Sequence, residues 1–446
     1  MAHVLAGTRI LVAGAGLAGL AAARELERQG AAVTVIDARD RVGGRVWTIR
    51  DGFAQRQHAE AGADLIEAEQ EHVRALAGSL GLEPVRILRE SFGFYGPDGR
   101  GRRRIHSRPG AFQQAGRRLA GLVRDFDLAD RRWDSAVGAR IVATPVAEWL
   151  RRIRAGREFE AGVRAFRGFF LADPEDLSLV MLVEQFASAG APGRGEIFRI
   201  PGGNDRLATG IARRLRGDVR LRTVLRRVRR TEAGVVAAVE DAAGRRADIA
   251  AAALVLAIPA STARDVVFEP SLPAAQHEAI AHLRYGCATR LLLQFGRRFW
   301  KTRGRPIAFG TDLPLGAVWD GNEHQKGPAG ILSFLAGGHA SGELQQILQQ
   351  DGPHGVAARL HWLGDPAAVV ASRTIVWDDD PWARGGYAYF HGGFDPLWRE
   401  WLARPAGRIV FAGEHTSLRW QGYMNGAVES GLRAAAEVRA ILHGLS

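Results

Sequence analysis

The sequence predicts an α/β fold, and three observations support this prediction. The stretch TRILVAGAG (8–16) is typical of a buried strand that runs into a glycine turn. Residues 16–30 have the pattern of a helix closed by Gly30, and AAVTVIDA (31–38) is typical of a second buried strand. Strand-like and helix-like segments continue along the chain, whose 446 residues favour two lobes over one simple core.

The remaining elements follow in chain order. The patterns predict a helix over 72–82, a basic loop-rich segment from 84 to about 110, and mostly helices over 111–192, with a phenylalanine-rich stretch at 166–186. Residues 197–215 are predicted to form a strand, a Gly-Gly turn and a helix, and strands are predicted within 219–230, 235–241 and 253–259. A β-rich region from 284 to about 392, a strand over 407–414 and a helix from Met424 to about 443 complete the prediction.

The composition is ordinary for a soluble globular protein, with 46% apolar and 24% charged residues. The single cysteine, Cys287, excludes an internal disulfide framework. The N-terminus lacks a signal-peptide pattern, and no apolar run is long enough to span a bilayer. We therefore expect a cytoplasmic protein without a transmembrane segment.

The net charge of +12 comes almost entirely from arginine, because lysine occurs only at Lys301 and Lys326. Basic clusters lie at 101–108 and 225–230, and such clusters can bind nucleic acids. They lack interleaved aromatic residues and a nucleic-acid motif, so we interpret them as solvated loops and faces. We predict neither a nucleic-acid partner nor a metal site, and the sequence leaves a homodimer open.

Gly14, Gly16 and Gly19 form a GxGxxG pattern between the first strand and the first helix, the context that dinucleotide sites require. The first glycine permits a tight turn, the second lets the backbone approach a pyrophosphate, and the third lets helix and strand pack closely. Asp37 ends the second strand, where a carboxylate can bind a ribose hydroxyl. A purely structural glycine turn is the alternative, but the strand–helix–strand context favours a dinucleotide site.

The stretch DARDRVGGRVWT (37–48) adds Gly43 and Gly44, which can approach phosphates, and Arg39 and Arg45, which can donate charge-assisted hydrogen bonds. An exposed charged loop is the alternative interpretation. The stretch resembles the second signature of the flavin amine oxidases and favours FAD over NAD. The chain thus resembles the superfamily of monoamine oxidases, polyamine oxidases and L-amino-acid oxidases.

The resemblance extends in ordered blocks across almost the whole chain, and only residues 84–195 lack a clear match. It implies a Rossmann-like FAD-binding domain interleaved with an α+β substrate-binding domain. The implied FAD-binding domain comprises 1–75, 196–275 and 400–446, and the substrate-binding domain comprises 76–195 and 276–399. Besides the two glycine motifs, the matching blocks are EAGADLI (60–66), IPGGNDRL (200–207), VLAIPA (255–260), 283–300, WDDDPWARGGYAY (377–389) and 411–431.

The resemblance implies how FAD is bound. Family members place the Gly-Glu pair that corresponds to Gly413 and Glu414 along the ribityl chain and pyrophosphate. Their final helix, which would begin here near Tyr423 and Met424, points at the flavin pyrimidine ring, and a helix N-terminus stabilises the negative charge of reduced flavin. The predicted cofactor-binding residues are Gly14, Ala15, Gly16, Ala18, Gly19, Asp37, Ala38, Arg39, Gly43, Gly44, Arg45, Gly62, Ala63, Leu225, Gly413, Glu414, Gly422, Tyr423 and Met424.

Two tyrosines flank the amine in monoamine oxidases, and Tyr387 and Tyr423 occupy the corresponding positions. Their electron-rich ring faces suit an amine, although ordinary packing is the alternative. Trp377 and Trp382 would line the same cavity or belong to the core. The residue before Tyr387 is Gly386, where monoamine oxidases with covalent flavin have cysteine, so the resemblance implies non-covalent FAD.

Arg290 occupies the position of the family lysine that holds a water at flavin N5. Arginine keeps the charge but cannot act as a base. The stretch 63–66 lacks the arginine that holds the substrate carboxylate in snake-venom L-amino-acid oxidases, which argues against that type. Glu67 lies close to where polyamine oxidases place an acid, and Asp378–Asp380 would either attract a second ammonium group or be solvated charges.

The resemblance implies FAD-dependent oxidation of an amine C–N bond to an imine, with O2 as the acceptor and H2O2 as a product. Hydrolysis of the imine would then give an aldehyde or a keto acid. The alternatives are an L-amino-acid oxidase acting on basic amino acids, an FAD-dependent dehydrogenase or desaturase with another acceptor, and a flavoprotein without turnover. The predicted catalytic residues are Arg290, Tyr387 and Tyr423, and the predicted substrate-binding residues are Tyr387, Tyr423, Trp377 and Glu67.

Overall fold

A five-stranded parallel sheet carries the N-terminal glycine turn. The computed structural model of the chain describes residues 5–90, 92–98, 100–106, 110–188 and 196–444. The apolar strand residues make the sheet nearly fully buried, as expected for parallel strands. Its strands, in spatial order and all parallel, are Val219–Arg220, Ala32–Ile36, Arg9–Ala13, Ala253–Leu256 and Ile409–Phe411.

Small residues let two helices pack closely beside this sheet. Helix Leu17–Arg28 begins directly after Gly16, and its alanine-rich face contacts helix Met424–Leu442. A Cβ at Gly431 would lie 2.2 Å from the carbonyl oxygen of Ala18, so only glycine permits this approach. The contact places the start of the C-terminal helix next to the N-terminal glycine turn.

A seven-stranded, mostly antiparallel sheet forms the second large element. Strand Ala288–Phe295 is buried along its whole length because strands lie on both sides of it. In spatial order the strands are Val369–Val376, Ala288–Phe295, Gly330–Gly337, Ala317–Asp320, Ala308–Thr311, Gly93–Pro97 and Arg103–His106.

Smaller sheets and further helices complete the fold. A four-stranded sheet has the order Arg246–Ala251, Gly234–Asp241, Thr223–Thr231 and Val267–Glu269. A three-stranded sheet has the order Ile66–Glu67, Ile197–Arg199 and Val85–Ile87. Two further sheets have two strands each, Thr48–Ile49 with Ala59–Glu60 and Arg284–Tyr285 with Ala388–Tyr389. The other helices are Glu71–Ser79, Gly110–Leu128, Ala136–Ala143, Val146–Arg152, Arg157–Arg164, Arg167–Phe170, Leu179–Ser188, Arg206–Ala212, Ala260–Ala263, Ala274–His282, His339–Ala358 and Trp398–Trp401, with 3-10 turns at Ala54–Arg56 and Glu414–Thr416.

Two secondary-structure predictions were wrong. The segment from 84 to about 110 contains three strands, because it extends one edge of the seven-stranded sheet and pairs with strand Ile197–Arg199. Ser91, Gly99 and residues 107–109 of that segment, and 189–192 of the predicted helical region, lie outside the described residues. The β-rich region also contains helix His339–Ala358.

The other strand and helix predictions named above match the observed elements within a few residues, and the α/β fold class is confirmed. The division into two interleaved domains stays a prediction. In the described ranges, no helix is both long enough and apolar enough to cross a bilayer.

Candidate active site

A cavity of about 950 Å³ runs from the N-terminal glycine turn to the two predicted substrate tyrosines. Its volume lies within the range of cofactor and ligand pockets. Every predicted site residue lines it except Ala15 and Gly19. The structure therefore brings together residues that are spread over more than 400 positions of the sequence.

The glycine turn at one end of the cavity has the shape of a phosphate cradle. Gly14 has a φ of +109°, and a Cβ there would lie 2.5 Å from the carbonyl oxygen of Ala257. A Cβ at Gly19 would lie 1.8 Å from the carbonyl oxygen of Gly14, so this glycine permits close helix–strand packing. Gly16 has open space around its Cβ position, which leaves room for a ligand at the start of helix Leu17–Arg28.

The carboxylate of Asp37 is held beside this turn. Its Oδ2 accepts a hydrogen bond from the backbone N–H of Ala15 at 2.7 Å, and its Oδ1 accepts one from the N–H of Arg39 at 2.8 Å. Ala15 thus serves the site by fixing Asp37. Burial raises the pKa of Asp37, against the opposing effect of these two hydrogen bonds. Each oxygen keeps acceptor capacity for a ribose hydroxyl.

The guanidinium of Arg39 is engaged by protein. Its Nη1 and Nη2 donate to the carboxylate of Asp380 at 2.6 and 2.7 Å. Asp378 accepts a hydrogen bond from the backbone N–H of Ala288 at 3.1 Å. Asp378 and Asp380 are thus engaged by protein and partly buried, while Asp379 is exposed. The attraction of a second ammonium group by this cluster stays a prediction. The contact of Arg39 with a cofactor stays a prediction.

Arg45 and Glu414 join two walls of the cavity. Arg45 Nη1 donates to Glu414 Oε1 and to the carbonyl oxygen of Gly386, both at 2.9 Å. Glu414 Oε2 accepts the backbone N–H of Gly422 at 2.8 Å. The guanidinium also lies 5.5 Å from the ring centroid of Tyr285. This arrangement fixes the chain just before helix Met424–Leu442, whose first turn has no side-chain cap.

Arg290 lies in the cavity wall on the buried strand Ala288–Phe295. Its Nη1 donates to Ser333 Oγ at 2.9 Å and its Nη2 donates to the carbonyl oxygen of Gly62. Burial lowers the pKa of Arg290. The residue thus presents a buried positive charge beside the predicted cofactor-binding stretch 62–63.

Tyr387 and Tyr423 lie at the other end of the cavity, on the two sides of Gly422. A Cβ at Gly422 would lie 3.3 Å from the Tyr387 ring. The Tyr387 hydroxyl donates to the carbonyl oxygen of Phe169, and the Tyr423 hydroxyl donates to Gln185 Oε1 at 3.2 Å. Burial raises the pKa of both phenols, so both stay neutral. These hydrogen bonds fix the position of both hydroxyl groups.

Glu67 lines the same end, where its charge acts on Tyr423. Burial and the charge of Glu69 raise the pKa of Glu67 to about 7. Trp377 instead lies beside Gly62, and the guanidinium of Arg39 is 6.0 Å from the ring centroid of Trp377. Trp377 therefore neighbours predicted cofactor-binding positions, and its contact with substrate stays a prediction.

Sequence reasoning missed most of the aromatic wall around the tyrosines. The signal was the FRGFF stretch, whose i, i+3 and i+4 spacing places three phenylalanines on one helical face. Its partners come from segments without a sequence signature. The additional residues that line this part of the cavity are Phe92, Phe94, Phe166, Phe169, Phe170, Met181, Trp319 and Trp420.

These features fit FAD. The open space at Gly16 and the carboxylate of Asp37 suit a pyrophosphate and a ribose, and the uncapped start of helix Met424–Leu442 suits an electron-rich ring. Cys287 is exposed and does not line the cavity, which agrees with non-covalent binding.

Comparisons with known proteins identify the family of the chain. A family model described as flavin containing amine oxidoreductase matches residues 17–439. AofH of Mycobacterium tuberculosis, assigned as a flavin-containing monoamine oxidase, is 31% identical over 468 aligned residues covering 97% of each chain. Putrescine oxidase of Kocuria rosea is 29% identical, covering 96% of this chain and 94% of that protein.

Solved structures show the same fold. Cyclohexylamine oxidase from Brevibacterium oxydans superposes with a TM-score of 0.83 at 24% identity, covering 98% of this chain and all of that one. A cofactor-binding variant of putrescine oxidase gives a TM-score of 0.84 at 24% identity, covering 98% of this chain and 99% of that one. The family model and the 31% identity to AofH together show that the chain belongs to the family of flavin-containing amine oxidoreductases, enzymes that use FAD to oxidise amines.

Proposed function

We propose that the protein is an oxidase of small amines with an apolar body, and that O2 is its electron acceptor. The observation that carries this proposal is one continuous cavity, with a cofactor-shaped part at Gly14–Gly16 and an aromatic chamber around Tyr387 and Tyr423. Bound FAD would supply the redox chemistry by accepting two electrons from the carbon that bears the nitrogen. The protein binds and orients the amine and excludes water.

The two tyrosine rings would orient the amine. Their hydroxyls are held by Phe169 and Gln185, so each ring is anchored both at its backbone and at its hydroxyl end. The surrounding phenylalanines bury the apolar body of the substrate, which contributes about 0.8 kcal/mol for each buried CH2 group. An aromatic chamber of this kind suits cyclic, aromatic and short aliphatic amines.

Glu67 would interact with positive charge on the substrate. With a pKa of about 7, its carboxyl group can hold or release a proton near neutral pH. Arg290 cannot take the amine proton, because arginine stays protonated in proteins. Substrates of the relatives, putrescine and cyclohexylamine by their names, represent the two shapes that the chamber would accept.

A specific observation supports oxidation of basic L-amino acids as a second candidate. Arg419 lines the cavity beside Trp420, with its guanidinium 5.3 Å from that ring centroid. It could bind a substrate carboxylate while Glu67 binds the distal ammonium group. The amine candidate is preferred because the chamber wall is mainly aromatic and Arg419 is exposed.

Anaerobic reduction of the flavin tests both candidates. The purified holoenzyme would be mixed without oxygen with cyclohexylamine, benzylamine, putrescine, L-arginine or L-lysine, and then exposed to air. Bleaching by one of the amines, followed by rapid recolouring with stoichiometric H2O2, is the expected result. Bleaching by amino acids alone would support the second candidate, and slow recolouring would contradict O2 as the acceptor. If none of these compounds bleached the flavin, both candidates would be wrong.

A further inference from the structure

Arg290 is a buried cation that forms no ion pair with a carboxylate in the part of the chain that the structure describes. Among the described residues its hydrogen-bond acceptors are Ser333 Oγ and the carbonyl oxygen of Gly62, and its Nε has none. Its guanidinium lies 4.7 Å from the ring centroid of Trp319, which also lines the cavity. Burying a charge without a counter-ion costs free energy, and the two hydrogen bonds and the indole face offset part of this cost.

The two acidic residues whose charges act on Arg290 are engaged elsewhere. Asp64 Oδ1 accepts from Arg199 Nε at 2.6 Å, and Asp64 Oδ2 accepts from Trp319 Nε1 at 2.7 Å. Asp64 and Arg199 are both buried. The negative charge of Asp64 is therefore balanced by Arg199 and not by Arg290.

Glu60, the other acidic residue, accepts hydrogen bonds from Thr48 Oγ1 at 2.8 Å and from the backbone N–H of Asn204 at 2.9 Å. Burial raises its pKa to about 8, so its carboxyl group is mostly neutral at pH 7. The cluster of Arg290, Arg199, Asp64 and Glu60 consequently has a net positive charge beside the cavity.

We propose that Trp319 and Asp64 are positioning residues that keep Arg290 as a fixed cation, free of any counter-ion from the protein, against the bound flavin. The indole of Trp319 supports the guanidinium with its face. Its N–H holds Asp64 Oδ2 and prevents that carboxylate from turning toward Arg290. The positive charge of Arg290 then acts on the electron-rich flavin. This inference rests on the flavin cofactor and not on the proposed substrate.

Sulfite binding tests the inference in the holoenzyme without any amine. Sulfite adds to oxidised flavin, and the adduct is anionic, so a nearby positive charge lowers its dissociation constant. The absorbance titration would compare wild type with Arg290→Met, Trp319→Phe, Asp64→Asn and Trp319→Phe/Asp64→Asn. Arg373→Met is the matched control, because Arg373 lies over Phe53 and does not line the cavity.

The Arg290→Met variant should raise the sulfite dissociation constant at least tenfold, and Arg373→Met should change it less than twofold. Trp319→Phe should raise it three- to tenfold, because Asp64 Oδ2 is released toward Arg290. Asp64→Asn alone should not raise it. In the double variant, which lacks the carboxylate, the constant should return to within twofold of wild type.

Two results would overturn the inference. Wild-type sulfite binding in Arg290→Met would show that this charge does not act on the flavin. A double variant that binds sulfite as weakly as Trp319→Phe would show that Trp319 acts by packing alone and not through Asp64. If the wild-type holoenzyme oxidised none of the tested amines but the sulfite titrations gave the expected pattern, the proposed function would be wrong and this inference would stand.

Discussion

Arg39 and Asp380 form a bidentate ion pair at 2.6 and 2.7 Å, although 341 positions separate them in the sequence. The pair joins the loop after the second parallel strand to the segment that precedes Tyr387. Both side chains are mostly buried, at 11% and 20% exposure. A pair that links two walls of the cofactor cavity should contribute both to stability and to FAD retention.

The first prediction is that Asp380→Asn lowers the free energy of unfolding by about 2 kcal/mol at pH 7, because it leaves a buried arginine without its partner. Burial alone would raise the pKa of Asp380, but the hydrogen bonds and charge of Arg39 lower it. The contribution is therefore present at neutral pH and is lost as acidification protonates Asp380. Urea unfolding at pH 7 and near pH 3 measures it. The control is Asp365→Asn, whose exposed carboxylate also pairs with an arginine and should matter little.

The second prediction concerns the phosphate cradle. Gly16→Ala should fold normally but weaken FAD binding at least tenfold, because the added methyl group enters open space that faces the cavity. Reconstitution of the apoprotein, followed by flavin fluorescence, measures the dissociation constant. Gly78→Ala, at an exposed position of helix Glu71–Ser79 with open space around its Cβ position, should leave FAD affinity unchanged. An unchanged affinity in Gly16→Ala would contradict the assignment of this turn.

The third prediction separates the ring of Tyr423 from its hydroxyl. Tyr423→Leu should lower kcat/KM at least tenfold, since the aromatic face is lost. Tyr423→Phe should lower it less than threefold, because it removes only the hydrogen bond to Gln185. Steady-state kinetics on holoenzyme with equal FAD content gives both values. Equal effects of the two substitutions would mean that the ring has no special role.

The fourth prediction is a pH-dependent preference for diamines. Glu67 ionises near pH 7, so the ratio of KM for butylamine to KM for putrescine should rise between pH 6 and pH 8. Because both substrates carry one primary amine group at the reacting end, the effect of pH on that group cancels in the ratio of the two KM values. Glu67→Gln should abolish the rise. Glu69→Gln should move it to lower pH, because the charge of Glu69 helps to raise the pKa of Glu67. A rise that persists in Glu67→Gln would assign the titration to another group.

The fifth prediction concerns stability at alkaline pH. Burial raises the pKa of Glu60 to about 8, well above the value of an unfolded glutamate. The folded state therefore holds this proton more tightly, and stability falls as the pH rises through about 8. Glu60→Gln should be increasingly more stable than wild type from pH 5.5 to 8.5 in urea unfolding. Exposed Glu232→Gln corrects for the loss of one negative charge, and a difference independent of pH would contradict the prediction.

The cofactor part of the site could be predicted from the sequence because backbone geometry determines it. Gly14 and Gly19 are read directly from their spacing, since any side chain there would collide with a carbonyl group. Asp37 follows from its place at the end of the second strand. Such local rules do not depend on which distant segment completes the wall.

The aromatic chamber and the charge pairs could not be predicted in this way. Phe92, Phe169 and Trp420 come to line one cavity only through tertiary packing, and none of them is marked as a site residue in its own segment. The partner of Arg39 lies hundreds of residues away, so the sequence does not show that Asp380 pairs with it. Strands Gly93–Pro97 and Arg103–His106 are rich in glycine and arginine, which masks the strand pattern and favours the incorrect prediction of a loop.

The route of the chain through the cavity wall has a consequence for biosynthesis. The wall begins at Ala13 and ends at Ala427, and the central parallel sheet receives its last strand only with Ile409–Phe411. While the ribosome is still translating the middle of the message, the first strands and the glycine turn have neither their final neighbours nor a closed cavity. Capture of FAD therefore has to follow synthesis of nearly the entire chain, and until then the apolar sheet edge is exposed to aggregation or to chaperones.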